Sequence, residues 1–282
     1  MTSKATKLRA LFESGDHFIA AEAYSALTGR IVEHVGFKAA YLGGFACSAF
    51  HYAMPDNGIF SQVEQLDQAT RIANAIDIPL VVDADTLGET VADAFNITRR
   101  YVQAGIAGFH IEDEANPKHS TYAGPLIPIA DMQARIEAAV KARGNSDFVI
   151  IARCDELYPQ ERRGGGQGSV EEALKRGKAY AEAGADAIVF PIMKPDQSQQ
   201  FADELPIPLV ALGFDLSGAT CTLNTGWGWM NAAHAHLEGA RKLMNGEPTM
   251  PNPVPEIGDL IEQKLYDELI ADWAQKTGRP AR

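Results

Sequence analysis

Charged and polar side chains stand at the ends of four consecutive apolar segments in this 282-residue chain. Tyr41–Gly44 ends the first segment, Asp83 and Asp85 end the second, Glu112 ends the third and Arg153 ends the fourth. If these segments are parallel strands of one barrel, their carboxyl ends lie at a common rim, which is where such barrels carry their active sites. A single acidic strand end is usually a helix cap, but four polar ends in succession are difficult to explain in that way. We therefore predict a functional site at this rim.

The acidic members of this set have the chemistry of a metal site. Asp83, Asp85 and Glu112 offer hard carboxylate oxygens, which suit Mg²⁺ or Mn²⁺ rather than zinc. Because Mg²⁺ keeps several waters, we expect one direct carboxylate ligand, with the others holding metal-bound waters. The alternative is a metal-free cluster in which Arg153 and Lys118 relieve the mutual repulsion of the carboxylates.

Two further features could bind a substrate carboxylate. Arg153 carries a permanently charged planar fork that can bind a carboxylate through two hydrogen bonds, although it could instead be a structural partner of Asp155 or Glu112. The segment Gly43–Ser48 offers backbone N–H groups and the Ser48 hydroxyl as a carboxylate cradle. The alternative for its glycine pair is a tight turn without a binding role.

Composition and charge exclude several classes of function. The chain has 25 basic and 37 acidic residues, a formal net charge of −12, and 46% hydrophobic residues, which argues against a disordered chain. The negative balance argues against nucleic acid as a partner, because phosphate binding needs a basic surface. The three cysteines, Cys47, Cys154 and Cys221, are far apart and suggest neither a zinc site nor a disulfide framework.

The chain also lacks the sequence marks of a membrane or secreted protein. The first residues, MTSKATK, contain no apolar signal segment, and no stretch approaches the roughly 18 apolar residues that a spanning helix needs. We expect a cytoplasmic enzyme without a membrane partner.

Short apolar runs alternate with amphipathic stretches along most of the chain. Continuous runs of this length are typical of buried parallel strands covered by helices. The related phrases AGIAGFHI at 104–111 and AGADAIVF at 183–190 indicate a regular repeat in which a helix stops at Gly105 or Gly184. Seven countable units favour a (β/α)8 TIM-type barrel over a doubly wound sheet. The predicted strands are 18–21, 39–43, 79–83, 108–112, 148–153, 187–190 and 208–212, and the predicted helices are 27–35, 62–76, 90–104, 130–143, 169–183 and 197–205.

The end of the repeat is irregular. Only a few residues separate 208–212 from the next candidate strand, 220–223, whereas a parallel crossover ordinarily needs at least about 10–12 residues. Either the seventh helix is missing or 220–223 is not the eighth strand. Helices are predicted at 227–244 and 256–274, and a Pro-rich linker at 245–255 separates them. We expect a barrel domain at 1–245, followed at 246–282 by the linker and a C-terminal helix that leaves the barrel.

These motifs, in this order, resemble the isocitrate lyase/phosphoenolpyruvate mutase superfamily. The resemblance runs from about Phe18 to Leu212 and implies a (β/α)8 barrel with Mg²⁺ and a C-terminal helix swapped between the subunits of a homodimer or homotetramer. It is carried by YLGG at 41–44, PD at 55–56, VVDADT at 81–86, AGIAGFHIED at 104–113, PK at 117–118 and IIARCDE at 150–156.

The resemblance also implies roles for individual residues. Asp83 matches the direct Mg²⁺ ligand, and Asp85 and Glu112 match the residues that hold metal-bound waters. Asp56 matches the aspartate that contacts these waters and a substrate oxygen, and Lys118 lies in the gating loop. The implied substrate-binding residues are Tyr41, Gly43, Gly44, Ser48, Asp56 and Arg153, and those we expect to take part in catalysis are Asp56, Lys118, His119, Ser120 and Arg153.

Departures from the superfamily pattern bear on the reaction. Where isocitrate and methylisocitrate lyases carry K-[KR]-C-G-H, with the cysteine as general acid, this chain reads KHSTY at 118–122, so Ser120 replaces the acid. A serine hydroxyl is too weak an acid for that role. His119 or Tyr122 could replace it, although a solvent-facing His119 is the alternative. The lyases' F-P-E turn is FPI at 190–192, and the Asn that phosphonopyruvate chemistry uses near position 120 is missing.

The turn at 41–48 is most similar to that of the superfamily's oxaloacetate decarboxylases. We therefore expect oxaloacetate decarboxylation through a metal-bound pyruvate enolate, with a small carboxylate as the partner. The first alternative is a retro-aldol lyase of the methylisocitrate or 2,3-dimethylmalate type, whose apolar pocket Ile192, Phe45, Trp227 and Trp229 could line unless they only pack in the core. The next alternatives are phosphonopyruvate chemistry and a non-catalytic ligand-binding barrel.

Overall fold

Eight parallel strands close into a barrel in the computed structural model, which describes residues 2–120, 122, 124–158 and 165–279. Each strand pairs with the next along the chain, and β8 closes the ring on β1. The predicted (β/α)8 fold is confirmed. The strands are β1 Phe18–Glu22, β2 Ala39–Leu42, β3 Leu80–Asp83, β4 Gly108–Glu112, β5 Val149–Arg153, β6 Ala187–Val189, β7 Leu209–Leu212 and β8 Ala219–Leu223.

Helices follow most strands, and their ends obey local sequence rules. Ser25, Ser61 and Thr90 close reciprocal capping boxes at the starts of α2, α4 and α5. Gly105 and Gly184 follow α5 and α7 with φ of 75° and 99°, as their predicted stop role requires. The helices are α1 Lys4–Glu13, α2 Ala26–Val35, α3 Gly44–Tyr52, α4 Gln62–Ala75, α5 Val91–Gln103, α6 Ile129–Arg143, α7 Val170–Glu182, α8 Pro195–Glu204, α9 Trp227–Met244, α10 Ile257–Leu260 and α11 Gln263–Thr277.

Alternation along each strand sorts the buried side chains into two cores. One set faces the covering helices, and the other fills the barrel interior. The interior set continues upward into the polar strand ends, because residues two apart on a strand face the same side. Asp83 thus lies above Val81, and Arg153 lies above Ile151. The strand pattern therefore places the polar ends at the mouth of the barrel.

The irregular end of the repeat has a simple resolution. The strand predicted at 220–223 is the eighth strand, and the seventh covering helix is missing, since residues 213–218 alone connect β7 to β8. Six extended residues span roughly 20 Å, which exceeds the length of about 13 Å of a four-residue strand. The chain can therefore return to the bottom of the barrel without a helix.

The C-terminal segment departs from its predicted single helix. The interval 256–274 contains α10 and most of α11, because the helix breaks at Glu262, whose φ of 56° is left-handed. The chain divides into two compact units, Met1–Ala232 and Ala233–Arg282. The sequence-based boundary at 245 stays a prediction. Among the described helices, none combines the length and apolar character required to cross a bilayer.

Candidate active site

Three carboxylates predicted to hold a metal ion come together at the mouth of the barrel. Asp83 ends β3, Asp85 follows it by two residues, and Glu112 ends the neighbouring β4. One oxygen from each of the three lies within 4.8 Å of the others, and all three side chains are buried. The Glu112 N–H donates to the Asp85 carbonyl oxygen at 2.9 Å, which holds the two segments in register.

The loop after β3 owes its conformation to side chains from other elements. Asp85 adopts a left-handed φ of 48°, which is uncommon for a residue other than glycine. Arg135 on α6 donates to the carbonyl oxygens of Thr86 and Gly88, each at 2.9 Å. Gln65 on α4 donates to the Asp83 carbonyl oxygen at 2.9 Å. Sequence reasoning missed both supports, because no local motif marks a side chain that binds a distant backbone.

Lys118 places its ammonium group among the carboxylates. The side chain is fully buried, and its Nζ contacts Asp85, lies 2.9 Å from Glu112 Oε1 and lies 3.3 Å from Asp56 Oδ1. Burial lowers the pKa of a lysine, but these three carboxylates outweigh it and raise the pKa of Lys118 well above its ordinary value. The predicted gating-loop lysine is therefore in the site, as a fixed positive charge.

Arg153 is held by two carboxylates at once. Its Nε and Nη2 donate to the two oxygens of Asp155 at 2.9 and 2.8 Å, and its Nη1 lies 2.9 Å from Glu112 Oε2. Asp155 is fixed in turn, because its N–H donates to Asp113 Oδ1 at 2.9 Å. Both of the structural partners considered for Arg153 are thus present. Its role in binding a substrate carboxylate stays a prediction.

The three carboxylates of this cluster have different pKa values. Burial raises the pKa of Asp85 to about 7, against the attraction of Lys118. Burial also opposes ionisation of Asp83 and Glu112, yet the neighbouring positive charges, among them Lys118 and Arg153, hold both pKa values below their usual range. At neutral pH Asp83 and Glu112 are ionised, whereas Asp85 lies close to its midpoint.

The donor set of this cluster suits Mg²⁺. Five carboxylates, those of Asp56, Asp83, Asp85, Glu112 and Asp155, lie around the two cations Lys118 and Arg153, so an excess of negative charge remains at the mouth. The three carboxylate oxygens lie within 4.8 Å of one another, and the set contains no sulfur ligand. Mg²⁺ and Mn²⁺ prefer such hard oxygen ligands. The Lys118 ammonium shows that a cation fits between Asp85 and Glu112. The residues that would hold the metal are Asp83, Asp85 and Glu112.

The predicted carboxylate cradle is the amino-terminal end of a helix. Gly43 is the N-cap of α3, and the Gly44 N–H donates to Asp83 Oδ2 at 3.2 Å. A Cβ at Gly44 would lie 3.0 Å from the same oxygen, so glycine is needed for the close approach. Unpaired N–H groups at a helix start favour anions. Ser48 lies a turn further along, where its hydroxyl donates to the Phe45 carbonyl oxygen at 3.3 Å.

Beneath the carboxylates lies a tyrosine–histidine pair. The hydroxyl of Tyr41 is 2.8 Å from His110 Nε2, and His110 Nδ1 is 3.7 Å from Asp83 Oδ1. Burial lowers the pKa of His110 and raises that of Tyr41, so both rings are neutral. Tyr41 was predicted as a site residue, but His110 was missed because it sits inside an apolar strand segment.

The loop after β4 also brings His119 into the site. Its Nδ1 lies 3.0 Å from the Asp56 carbonyl oxygen, and its Nε2 lies 3.2 Å from Glu114 Oε2. Burial, with the negative charges of Asp155 and Glu112, raises the pKa of Glu114 to about 9. His119 Nδ1 therefore has a hydrogen-bond partner, whereas Nε2 lies near Glu114 without a hydrogen bond. The side chain is 22% exposed, so the solvent-facing alternative does not describe it. Glu114 was not predicted.

Ser120 and Tyr122 are placed differently. The Ser120 hydroxyl donates to the Pro117 carbonyl oxygen at 2.8 Å and accepts from the Tyr122 N–H at 3.1 Å, which closes a turn within the loop. The Tyr122 side chain is 86% exposed. Among the described loop residues, Lys118 and His119 face the carboxylates, and the Ser120 hydroxyl is engaged by the loop backbone.

Comparison with protein families gives one match that covers most of the chain. Residues 8–225 match the family described as phosphoenolpyruvate phosphomutase. The chain is 34% identical over 186 residues to a 2,3-dimethylmalate lyase from Eubacterium barkeri, covering 65% of this chain and 62% of that protein. It therefore spans less than two thirds of that relative's length.

Two further relatives have different names. A phosphonopyruvate hydrolase from Variovorax sp. (strain Pal2) is 36% identical over 216 residues, which cover 74% of this chain and 72% of the relative. An oxaloacetate decarboxylase from Pseudomonas putida (strain GB-1) is 33% identical over 211 residues, with 73% and 69% covered. The relatives thus divide among several reactions.

Solved structures support the same grouping. A 2,3-dimethylmalate lyase crystal structure superposes with a TM-score of 0.85 at 27% identity over the whole of both chains. A phosphonopyruvate hydrolase in complex with oxalate and Mg²⁺ superposes with a TM-score of 0.82 at 30% identity, covering 96% of this chain and 99% of the hydrolase.

Proposed function

This chain belongs to the phosphoenolpyruvate mutase/isocitrate lyase superfamily, and we propose that it is a Mg²⁺-dependent carbon–carbon lyase for which oxaloacetate is the substrate. Mn²⁺ would serve in place of Mg²⁺. The observation that carries the proposal is the buried carboxylate triad beside Arg153 at one rim of the barrel. The relative crystallised with oxalate and Mg²⁺ supports it, because oxalate has the paired oxygens of a 2-oxo acid head.

In this proposal the polar strand ends hold the metal and the head of the substrate. Asp83 would bind the ion directly, and Asp85 and Glu112 would hold its waters. When bound, the ion stabilises negative charge that develops on the 2-oxo oxygen. Arg153 and the N–H groups that follow Gly44 in the first turn of α3, both at the mouth of the barrel, orient the adjacent carboxylate.

Decarboxylation then requires little further help from acid groups. The C3–C4 bond breaks, its electron pair forms the enolate of pyruvate, and carbon dioxide departs. The enolate carbon must finally accept a proton, which water or the loop can supply. His119, beside Asp56, is the loop group placed for this step, and Lys118 supplies a fixed positive charge.

The second candidate is a retro-aldol lyase of the 2,3-dimethylmalate type. It is favoured by the 34% identical relative of that name and by the buried Glu114–His119 pair, which could act as a rebuilt acid. Against it, the Ser120 hydroxyl at the position of the lyases' cysteine is engaged by its own loop. A carbanion-forming cleavage needs a positioned acid more than decarboxylation does, and the loop therefore supports decarboxylation.

The reaction is tested by a panel of 2-oxo and 2-hydroxy diacids with Mg²⁺, in which pyruvate release is measured against a metal-only blank. We expect oxaloacetate to be turned over, with carbon dioxide and pyruvate in equal amounts. Turnover of 2,3-dimethylmalate or 2-methylisocitrate without turnover of oxaloacetate would establish the second candidate instead.

We also propose a homodimer or homotetramer. The unit Ala233–Arg282 exposes many large apolar side chains, which a partner subunit would cover. They include Leu237, Leu243, Leu265, Leu269, Ile270 and Trp273. Sedimentation of the full chain at micromolar concentration should show an oligomer, and deletion from Pro255 onward should yield monomers or insoluble protein. A full-length monomer would contradict this proposal.

A further inference from the structure

The strands on the far side of the barrel end in apolar residues. Val189 ends β6, Leu212 ends β7 and Leu223 ends β8, and all three belong to or pack against the interior core of the barrel. Val189 lies next to the polar ends, since it is the register partner of Arg153, and Leu212 is the register partner of Leu223. Leu212 is half-buried, whereas the other two are fully buried. We call these three residues the apolar half.

Polar groups next to the apolar half are already engaged. The Asn224 amide donates to the Gly213 carbonyl oxygen at 3.5 Å, and the Thr225 hydroxyl donates to Glu22 at 3.2 Å. The Glu22 carboxylate also accepts the N–H groups of Gly226 and Gly228 at 2.6 and 2.7 Å. It caps the start of α9 and is not a free anion.

The described segments that end or follow β6, β7 and β8 carry no cation of their own. Residues 189–193, 212–215 and 223–226, which follow or end the three strands, contain no lysine or arginine. Lys194, the next cation along the chain after β6, is exposed at the N-cap of α8. A second carboxylate of a substrate would thus meet hydrocarbon here and no counter-charge.

We propose that the apolar half, and Leu212 in particular, contacts the end of the substrate remote from the metal. This contact selects against substrates whose remote end carries a carboxylate that stays charged during the reaction. This inference rests on the proposed function, since it takes the triad and Arg153 to bind the 2-oxo acid head. The substrate class is 2-oxo acids in which only the carboxylate of the head has a positively charged partner in the site. Tricarboxylates are excluded, because each added carboxylate would be buried without a partner.

The same feature bears on the choice between the two candidate reactions. The C4 carboxylate of oxaloacetate is destabilised against hydrocarbon, and it loses its charge as the C3–C4 bond breaks and neutral carbon dioxide forms. An interaction that is unfavourable in the ground state and relieved in the transition state accelerates the reaction. In the cleavage of 2,3-dimethylmalate the second carboxylate stays charged in the propionate product, so that reaction gains nothing from the apolar half.

The inference is tested by binding two probes of equal chain length, 2-oxovalerate and 2-oxoglutarate, to the Mg²⁺-loaded protein in a calorimeter. They share a 2-oxo acid head and differ in an uncharged or charged tail. We expect 2-oxovalerate to bind at least tenfold more tightly. Equal affinities, tighter binding of 2-oxoglutarate, or binding of oxalate alone would overturn the inference.

Two substitutions locate the effect. Leu212→Arg supplies the missing counter-charge and should shift the ratio of the two affinities at least tenfold toward 2-oxoglutarate. Leu212→Met keeps the volume and apolar character and should leave the ratio unchanged. If the arginine variant fails to fold, Leu212→Gln should still shift the ratio in the same direction. An unchanged ratio in every folded polar variant would overturn the role of Leu212.

These measurements need no turnover, so they separate the inference from the proposed reaction. A preference for 2-oxovalerate without oxaloacetate turnover would leave the apolar half established and the decarboxylase assignment wrong. Oxaloacetate turnover without that preference would do the reverse.

Discussion

The two sides of the barrel mouth differ in the polarity of their strand ends. On the side formed by β2–β5, which we call the polar half, each strand end offers a hydrogen-bonding or charged group, and these groups hold one another at fixed distances. On the side formed by β6–β8, the inward ends are Val189, Leu212 and Leu223. Directional bonds on one side and hydrocarbon on the other can hold a substrate head in one orientation while leaving its tail without a polar partner.

Stability measurements alone would not distinguish these two sides. Removing one partner of a buried ion pair costs about 3–5 kcal/mol, and truncating a buried leucine to alanine costs about 2–5 kcal/mol. The two sides should differ in function instead. Changes in the polar half should act on metal binding and catalysis, whereas changes in the apolar half should act on the choice of substrate tail.

The largest expected effect is the loss of the metal from the polar half. EDTA should abolish activity, and Mg²⁺ or Mn²⁺ should restore it, because the proposed stabilisation of charge on the 2-oxo oxygen depends on the ion. Asp83→Asn should abolish the rise in melting temperature caused by Mg²⁺, and Asp85→Asn should only reduce it. Activity that is insensitive to EDTA would remove the basis for a metal in this half.

A somewhat smaller effect is expected for Arg153→Lys. Lysine keeps the charge but cannot span Glu112 and Asp155 with a planar fork. Loss of a positioned donor at a reacting group typically costs on the order of 10²–10³ in rate, and we expect kcat/KM to fall by about that factor. Arg71→Lys, in the exposed ion pair with Asp67, is the matched control and should retain full activity. Equal activity of both variants would show that Arg153 only supports the fold.

A moderate effect on stability is expected from pH in the metal-free protein. The pKa of Asp85 is about 7 in the fold, against an ordinary value near 4, so between these values the native state binds more protons than the unfolded state. The contribution of Asp85 to stability is therefore present at low pH and is lost as pH rises from about 4 through 7.

Thermal unfolding in EDTA measures this pH effect. The melting temperature at pH 5.5 should exceed that at pH 8, and Asp85→Asn should reduce the difference. A slope remains in that variant, because burial also raises the pKa of Asp155 to about 7. Mg²⁺ should stabilise the protein more at pH 8 than at pH 5.5, since the ion competes with the proton. A melting temperature that rises with pH in EDTA would contradict the assigned charges.

The smallest effect is expected in the loop that covers the polar half. Ser120→Ala removes a hydroxyl that bonds to the loop backbone, and it should leave most of the rate on oxaloacetate. His119→Ala should slow the reaction by less than a hundredfold, and Tyr122→Phe should have no effect. A rate loss above a hundredfold in any of the three variants, with turnover of 2,3-dimethylmalate and none of oxaloacetate, would show that the reaction requires a positioned acid. The retro-aldol reaction would then be the correct one.

The sequence predicted the polar half much better than the apolar half, for a physical reason. Acidic and basic residues that directly follow apolar strands are unusual, so Asp83, Glu112 and Arg153 could be placed at one rim from strand spacing alone. Leu212 and Val189 continue apolar runs and cannot be distinguished from core residues before the barrel closes. Their position opposite the carboxylates follows from strand register, which no local pattern records.

Tertiary contacts account for the other gaps in the prediction. The support of the β3 loop by Arg135 joins elements that are distant in sequence, and the placement of Lys118 depends on how a long loop folds back. The start of α3 at Gly44 was read as a turn, because glycines disfavour helices and only the tight approach to Asp83 explains this one. The missing helix between β7 and β8 was one of two alternatives that only strand pairing could decide.

The most direct test of the divided mouth is a crystal structure of the protein with Mg²⁺ and 2-oxovalerate. We expect the ion on Asp83, with Asp85 and Glu112 around it, and the substrate head between the ion and Arg153. The propyl tail should lie in van der Waals contact with Leu212. A tail that points toward His119, or an ion bound away from the triad, would contradict the division of the mouth into a polar and an apolar half.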